Sequence, residues 1–172
     1  MYDTTFEAVR RFCLRRLTVS DANDAVAEVY LVAWRRADVI PPGEETLPWL
    51  YGVAHNVVRR IQRSNHRRFR LTARTMREPV ETHPDPEVEL IRHAEYQELA
   101  AAIKRLSSGD QEVIRLRAWE ELPAPAIATV LDCSVSAAEK RITRAFHRLE
   151  KLIRPIDGLD ARQVIVPEEG GR

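Results

Sequence analysis

Between Arg59 and Arg77 the chain holds eight arginines, at 59, 60, 63, 67, 68, 70, 74 and 77, and no acid. Guanidinium groups at that density suit charge-assisted hydrogen bonding to phosphate oxygens. Trp49, Tyr51, His55 and Asn56 come just before them. Rings beside cations are what a single-stranded nucleic acid needs, namely stacking platforms and a track for its backbone. A second cationic group lies further on, where Ala137, Lys140, Arg141, Arg144 and Arg148 recur at the spacing of one helix face. A helix with such a face can enter the major groove, where base edges are distinguishable, and the small Ala137 lets its backbone approach. Each feature also has a plainer account: a solvated basic helix face, a core position for Trp49, and a generic three-helix bundle at the C-terminal end.

Other chemistries find little support. The histidines at 55, 66, 83, 93 and 147 show no metal-ligand spacing, and no Gly-rich phosphate loop occurs. Asp21, Asp24 and Glu28 form a helix-surface row with nothing to activate, so neither an enzyme nor a metal or cofactor site is expected. Cys13 and Cys133 lie far apart without a CxxC partner and fit a reducing cytosol. Asp3, Glu7, Arg10 and Arg11 argue against a signal peptide, and no apolar run approaches the roughly 18 residues of a membrane span. A cytoplasmic, nucleoid-associated protein without membrane insertion is expected. The net charge of +1 conceals segregation, because the arginine run is followed by acids at 78, 81, 85, 87, 89, 95 and 98 against Arg92 alone.

The elements that must position these residues read as helices. Gly is scarce, at 6 of 172 residues, and β-branched runs are short, which opposes an all-β fold. Phe6, Val9, Phe12, Cys13 and Leu17 mark a helix near 5–17. Ser20 is the expected N-cap of a second, over 21–37, with Ala22, Val26, Val29 and Ala33 inward and Asp24, Glu28, Leu31 and Arg35 on a neighbouring face. Pro41-Pro42-Gly43 marks a loop, and Pro48 fits the first turn of a third helix. Leu50, Val53, Ala54, Val57 and Ile61 make its buried stripe, with Tyr51, His55, Arg59 and Arg63 opposite. Pro79, Pro84 and Pro86 among acids indicate an extended linker. Beyond it Leu99, Ala102, Ile103 and Leu106 describe one helix, and Ser108 with Gln111 caps another carrying Val113, Ile114 and Leu116. A short helix at 124–131, a turn at Asp132-Cys133-Ser134 and a long helix capped by Ser136 with Glu139 complete a helix-turn-helix. Ile142, Ala145, Leu149 and Leu152 face inward, and Pro155 stops the helix. Val164-Ile165-Val166 could dock on a domain, whereas Glu168 to Arg172 reads as disordered. The expected fold is all-α: two small helical domains (1–70 and 95–154) joined by a flexible linker (71–94), the second with the helix-turn-helix, and a tail over 155–172.

The chain resembles a known family. Asp21-Ala-Asn-Asp-Ala-Val-Ala-Glu-Val-Tyr-Leu-Val-Ala-Trp34 and Pro48-Trp-Leu-Tyr-Gly-Val-Ala-His-Asn-Val-Val-Arg59 are similar to region 2 of the extracytoplasmic-function (ECF) sigma factors, within the sigma-70 class. Leu106 to Leu152 resembles their region 4, including Ala-Ile-Ala-Thr-Val-Leu131 and Arg141-Ile-Thr-Arg-Ala145. The resemblance implies promoter-specific transcription initiation with core RNA polymerase (β′ clamp helices and β subunit) and promoter DNA, single-stranded and duplex, as partners, and an anti-sigma factor as regulator. It implies polymerase docking by Asp24, Glu28, Tyr30 and Leu31. It places capture of the melted −10 element on the 38–47 loop, Trp49, Asn56, Arg59, Arg60 and Arg63, and −35 reading on Lys140, Arg141 and Arg144 within the face from Ala137 to Arg148. Departures are Ala27 for a glutamine, Ala126 for an acid, Asp132 for the turn glycine, and Glu139 for a basic residue. Without the resemblance, the rival is a helix-turn-helix regulator whose first domain dimerises or senses a ligand.

Overall fold

A computed structural model of the chain describes residues 2–72 and 93–153, with side chains over 2–67 and 97–153. The expected linker at 78–90, Pro155 and the tail lie outside the described residues. The described residues form two compact units, one on each side of residues 85–86 apart from a few residues near 130, and contain helices but no strand.

The first unit contains α1 (Tyr2–Leu14), α2 (Val19–Arg35) and α3 (Thr46–Thr72). Thr5, Val9, Phe12 and Cys13 fall one or two turns apart on α1 and are buried together. On α2 the buried set is Ala22, Ala25, Val26, Val29 and Ala33, whose small side chains let α1 and α3 pack closely on either side. Phe12 is fully buried, a burial that contributes about 1.5–3 kcal/mol. Its ring stacks on Tyr51 at 4.9 Å between centroids, and the Arg16 guanidinium lies 3.6 Å from its centre. Tyr51 therefore belongs to the core with Leu50, Ala54, Val57 and Val58, not to the polar face expected for it. The reason is that α3 meets both α1 and α2, which widens its buried arc beyond one stripe.

The N-cap of α2 is Thr18, whose hydroxyl accepts from the Asp21 N–H, and not Ser20, which already lies inside the first turn. Between α2 and α3 the chain makes 3-10 turns at Ala37–Val39 and Gly43–Glu45 around Pro41-Pro42. Gly43 adopts φ +69°, a conformation that favours glycine, and the Thr46 hydroxyl donates to the Pro41 carbonyl at 2.7 Å. Pro48 sits in the first turn of α3, as its missing N–H allows.

The second unit contains α4 (His93–Arg105), α5 (Ser108–Ala118), α6 (Ala124–Val130) and α7 (Val135–Leu152). α7 packs on α5 and α4, burying Ala138, Ala145 and Leu149, while Val113, Ile114 and Leu116 are buried on α5. The caps again differ from expectation. Ser107, not Ser108, accepts from the Asp110 N–H, and Ser134, not Ser136, accepts from the Ala137 N–H. Gln111 instead donates to the Leu106 carbonyl at 2.9 Å. The turn between α6 and α7 is held by the Cys133 N–H on the Ala128 carbonyl, with Asp132 at φ +50° where the family pattern has glycine. Asp tolerates that left-handed conformation better than most residues, as expected of it. Cys13 is buried, Cys133 is half-buried, and no disulfide joins them.

Candidate nucleic-acid interface

The first cationic surface is a single stripe of α3. Asn56, Arg59, Arg60, Arg63 and Arg67 follow at i, i+3, i+4, i+7 and i+11, which is one face of an α-helix, and all five are exposed. Trp49 stands two turns before Asn56 on the same line and is half-buried, with part of its ring available. The −10 residues named from sequence are thus brought together, with Arg67 added. Arg63 donates Nε–H to the Arg59 carbonyl at 3.2 Å, which lays its side chain along the helix. Arg60 reaches across to α2 and pairs closely with Glu28, and this hydrogen bond raises its pKa further. Apart from the stripe, the 40–47 loop and the start of α1 line an open cleft of about 740 Å³, with Thr4, Thr5, Ile40, Pro41, Gly43 and Leu47 among its walls.

Of the polymerase-docking residues named from sequence, Asp24, Glu28 and Leu31 share one face of α2 at i, i+4 and i+7, and Tyr30 does not. Asp24 is exposed and Leu31 is 46% exposed. Glu28 leans onto α3 through Arg60, as Asp21 does by accepting from the Asn65 amide at 2.9 Å. Tyr30 turns the other way, against α1: its hydroxyl shares a hydrogen bond of 2.9 Å with that of Thr5, and its ring meets Tyr2 edge-on at 4.7 Å. Burial pushes the Tyr30 phenol pKa up, against the hydrogen bond with Thr5. Trp34, given no role from sequence, is 82% exposed and lies one turn beyond Leu31. Its signal was available, since a large apolar residue off the buried stripe of an amphipathic helix has no place in the core.

The second cationic surface is on α7. Ala137, Lys140, Arg141, Arg144 and Arg148 repeat the i, i+3, i+4, i+7, i+11 spacing; the four cations are exposed and Ala137 is half-buried. Arg144 lies back on the Lys140 carbonyl at 3.1 Å. Arg148 is tied to α5, with its guanidinium 2.6 Å from Asp110, and the same carboxylate oxygen accepts the Ser107 hydroxyl at 2.8 Å. Burial works to raise the Asp110 pKa, but the hydrogen bonds from Arg148 and Ser107 and the charges of Arg148 and Arg144 outweigh it and hold the carboxyl below its ordinary value. Among the described residues no group of three or more His, Cys, Asp or Glu could hold a metal, and no helix is long and apolar enough to cross a membrane.

The family model described as "Sigma-70, region 4" matches residues 96–149, the span that carries this helix-turn-helix. The RNA polymerase sigma factor CnrH of Cupriavidus metallidurans is 29% identical over 141 residues, covering 78% of this chain and 74% of that protein. The ECF RNA polymerase sigma factor EcfG of Rhodopseudomonas palustris is 24% identical over 139 residues, covering 81% and 74%. Over most of its length the chain is thus similar to RNA polymerase sigma factors, and residues 96–149 match their region 4. Its fold is similar to that of the sigma factor RpoE of Bartonella quintana, solved with the anti-sigma factor NepR, at a TM-score of 0.66 and 23% identity over 88% of this chain and 92% of that one. In this chain the two cationic stripes fall one in each helical unit, and the second lies on the second helix of the helix-turn-helix.

Proposed function

We propose that this sigma factor brings core RNA polymerase to promoters, holding the melted −10 strand on the α3 stripe and seating α7 in the duplex −35 element. The observation that carries this reading is the pair of like-spaced cationic faces in different settings. One is headed by the half-buried Trp49, whose ring suits stacking with unpaired bases. The other stands on a capped helix after a tight turn, which suits a groove. Trp49, Asn56, Arg59, Arg60 and Arg63 take the first role, and Ala137, Lys140, Arg141 and Arg144 the second, with Arg148 anchored behind them. Polymerase docks on the outer face of α2, where Asp24 offers charge and Leu31 and Trp34 offer apolar area. Glu28 contributes through its hold on Arg60, and Tyr30 by fixing α2 on α1. Residues 1–70 and 95–154 serve as the two working domains, 71–94 as linker and 155–172 as tail.

The protein acts in the cytoplasm on the nucleoid and carries out no bond chemistry of its own. An anti-sigma factor covering Leu31 and Trp34 is the matching regulator, as RpoE of Bartonella quintana was solved with NepR. The deciding experiment is a gel shift and run-off transcription on genomic promoter fragments, with and without purified core polymerase. Promoter-specific complexes that need core polymerase are expected, and Asp24→Lys or Trp34→Ala should weaken them while both units stay folded. Tight duplex binding by the protein alone, unchanged by core polymerase, would identify a conventional helix-turn-helix regulator instead.

A further inference from the structure

The outward face of α7 carries one acid in its second turn, and the fold gives that acid no structural task. From sequence Glu139 was expected to close a capping box with Ser136, but Ser134 caps the helix alone, through the Ala137 N–H at 3.2 Å. The Glu139 carboxylate is exposed and makes no ion pair among the described residues. Only its backbone carbonyl is engaged, accepting the Thr143 hydroxyl at 3.0 Å. Near the other end of the helix, by contrast, Glu150 has His147 at 3.8 Å.

The position of Glu139 is fixed by the buried line of Ala138, Ala145 and Leu149. With about 100° of turn per residue, Lys140 points within roughly 20° of the direction opposite that line, Glu139 stands roughly 80° to one side of it and Arg141 roughly 120° to the other. They stand in the N-terminal half of the helix, the part of a recognition helix that meets base edges.

A carboxylate carried into DNA is repelled by phosphates and gains only from a hydrogen-bond donor. In the major groove the donors are the N4 amine of cytosine and the N6 amine of adenine. Adenine sets its N7 acceptor beside that amine, which repels a second carboxylate oxygen, whereas cytosine offers its amine with no acceptor on its own groove edge.

We propose that Glu139 is a specificity-determining residue that accepts a hydrogen bond from the N4 amine of a cytosine, so that the duplex promoter element of this factor requires cytosine at one position. The inference rests on the reading of α7 as the −35 helix and adds a base to it. The test uses holoenzyme reconstituted from the full chain and core polymerase, on promoters in which each −35 position in turn carries all four bases. With the wild-type protein, replacing the cytosine at one position should lower open-complex formation about 5- to 100-fold. Glu139→Ala should flatten the preference at that position alone, and Glu139→Gln should move it toward adenine. A Glu139→Ala profile unchanged at every position overturns the inference, as does one that rises by the same factor on all sequences, the mark of relieved phosphate repulsion. Either outcome leaves the −35 reading intact, because the other positions still discriminate. If the wild-type holoenzyme discriminates at none of them, that reading fails too.

Discussion

Asp110→Asn should destabilise the second unit by about 1–2 kcal/mol near neutral pH and by almost nothing in acid. The magnitude follows from where the two charges sit. The Asp110 side chain is 15% exposed, while that of Arg148 is 56% exposed. A hydrogen bond to a charged group contributes about 1.5–3 kcal/mol, and a fully exposed ion pair about 0.2–1. An acid largely covered by protein, gripping a guanidinium still half in water, falls between these. Asn keeps the shape and one acceptor but loses the charge that faces Arg148, Arg144 and the start of α5. The pH dependence has a fixed sign. The folded-state pKa of Asp110 is depressed, so the unfolded chain binds more protons as the solution is acidified. The stabilisation is complete above the unfolded value, about 3.9, and is lost as pH falls through the folded one. Amide hydrogen exchange read on peptides from α5 and α7 isolates this unit within the full chain. At neutral pH the variant should exchange about 5–30-fold faster than wild type there and unchanged in α1 to α3. Below the folded value the gap should close, and Arg148→Gln should add little to Asp110→Asn. Equal protection at neutral pH, or a gap that persists undiminished in acid, refutes the electrostatic account.

Two further outcomes test the caps and the interhelical pair. Ser134→Ala should cost about 1 kcal/mol, read as faster exchange in the first turns of α7, whereas Ser136→Ala should be nearly silent. A double-mutant cycle on thermal stability with Glu28→Gln and Arg60→Gln should give a coupling no larger than about 1 kcal/mol that shrinks as salt is added, since Arg60 is largely in water. Zero coupling at low salt would remove the pair as a feature of the protein in solution.

The helices and their inward residues were legible because apolar spacing is local. Ala22, Val26, Val29 and Ala33 on α2, and Ala145 and Leu149 on α7, could be named before any coordinates. The caps were not, and the errors run one way: Thr18, Ser107 and Ser134 each lie one or two residues before the expected Ser20, Ser108 and Ser136. Each stretch offers two hydroxyls; the capping-box rule picked Ser108 for Gln111 and Ser136 for Glu139, and Ser20 stood only as a favoured N-cap residue. The extended residue that starts the turn is set by tertiary packing, which that rule does not contain. Tyr51 was misplaced for a related reason, since α3 touches two helices and buries more than one stripe. The anchors Glu28 and Asp110 were out of reach entirely, because their partners lie 32 and 38 residues away and no spacing rule spans such a gap.

Both units solve the same electrostatic problem in the same way. Five positions spaced i, i+3, i+4, i+7, i+11 cover about 16 Å of helix, and an arginine at i+7 folds back on the carbonyl at i+3 in each stripe. In each, one further cation is held by an acid from a neighbouring helix, Arg60 by Glu28 and Arg148 by Asp110. Such tethers fix the direction of a long side chain, at the cost of part of its charge. With a net charge of only +1 on the whole chain, no long-range field makes up that loss, and a Debye length near 8 Å confines each stripe to its own neighbourhood. Under the proposed function each stripe alone would therefore grip DNA weakly. Under the proposed function, polymerase turns the second contact into an intramolecular event and multiplies two weak affinities. On that proposal the protein stays off DNA until it is bound to polymerase, because neither stripe is strong enough to act by itself.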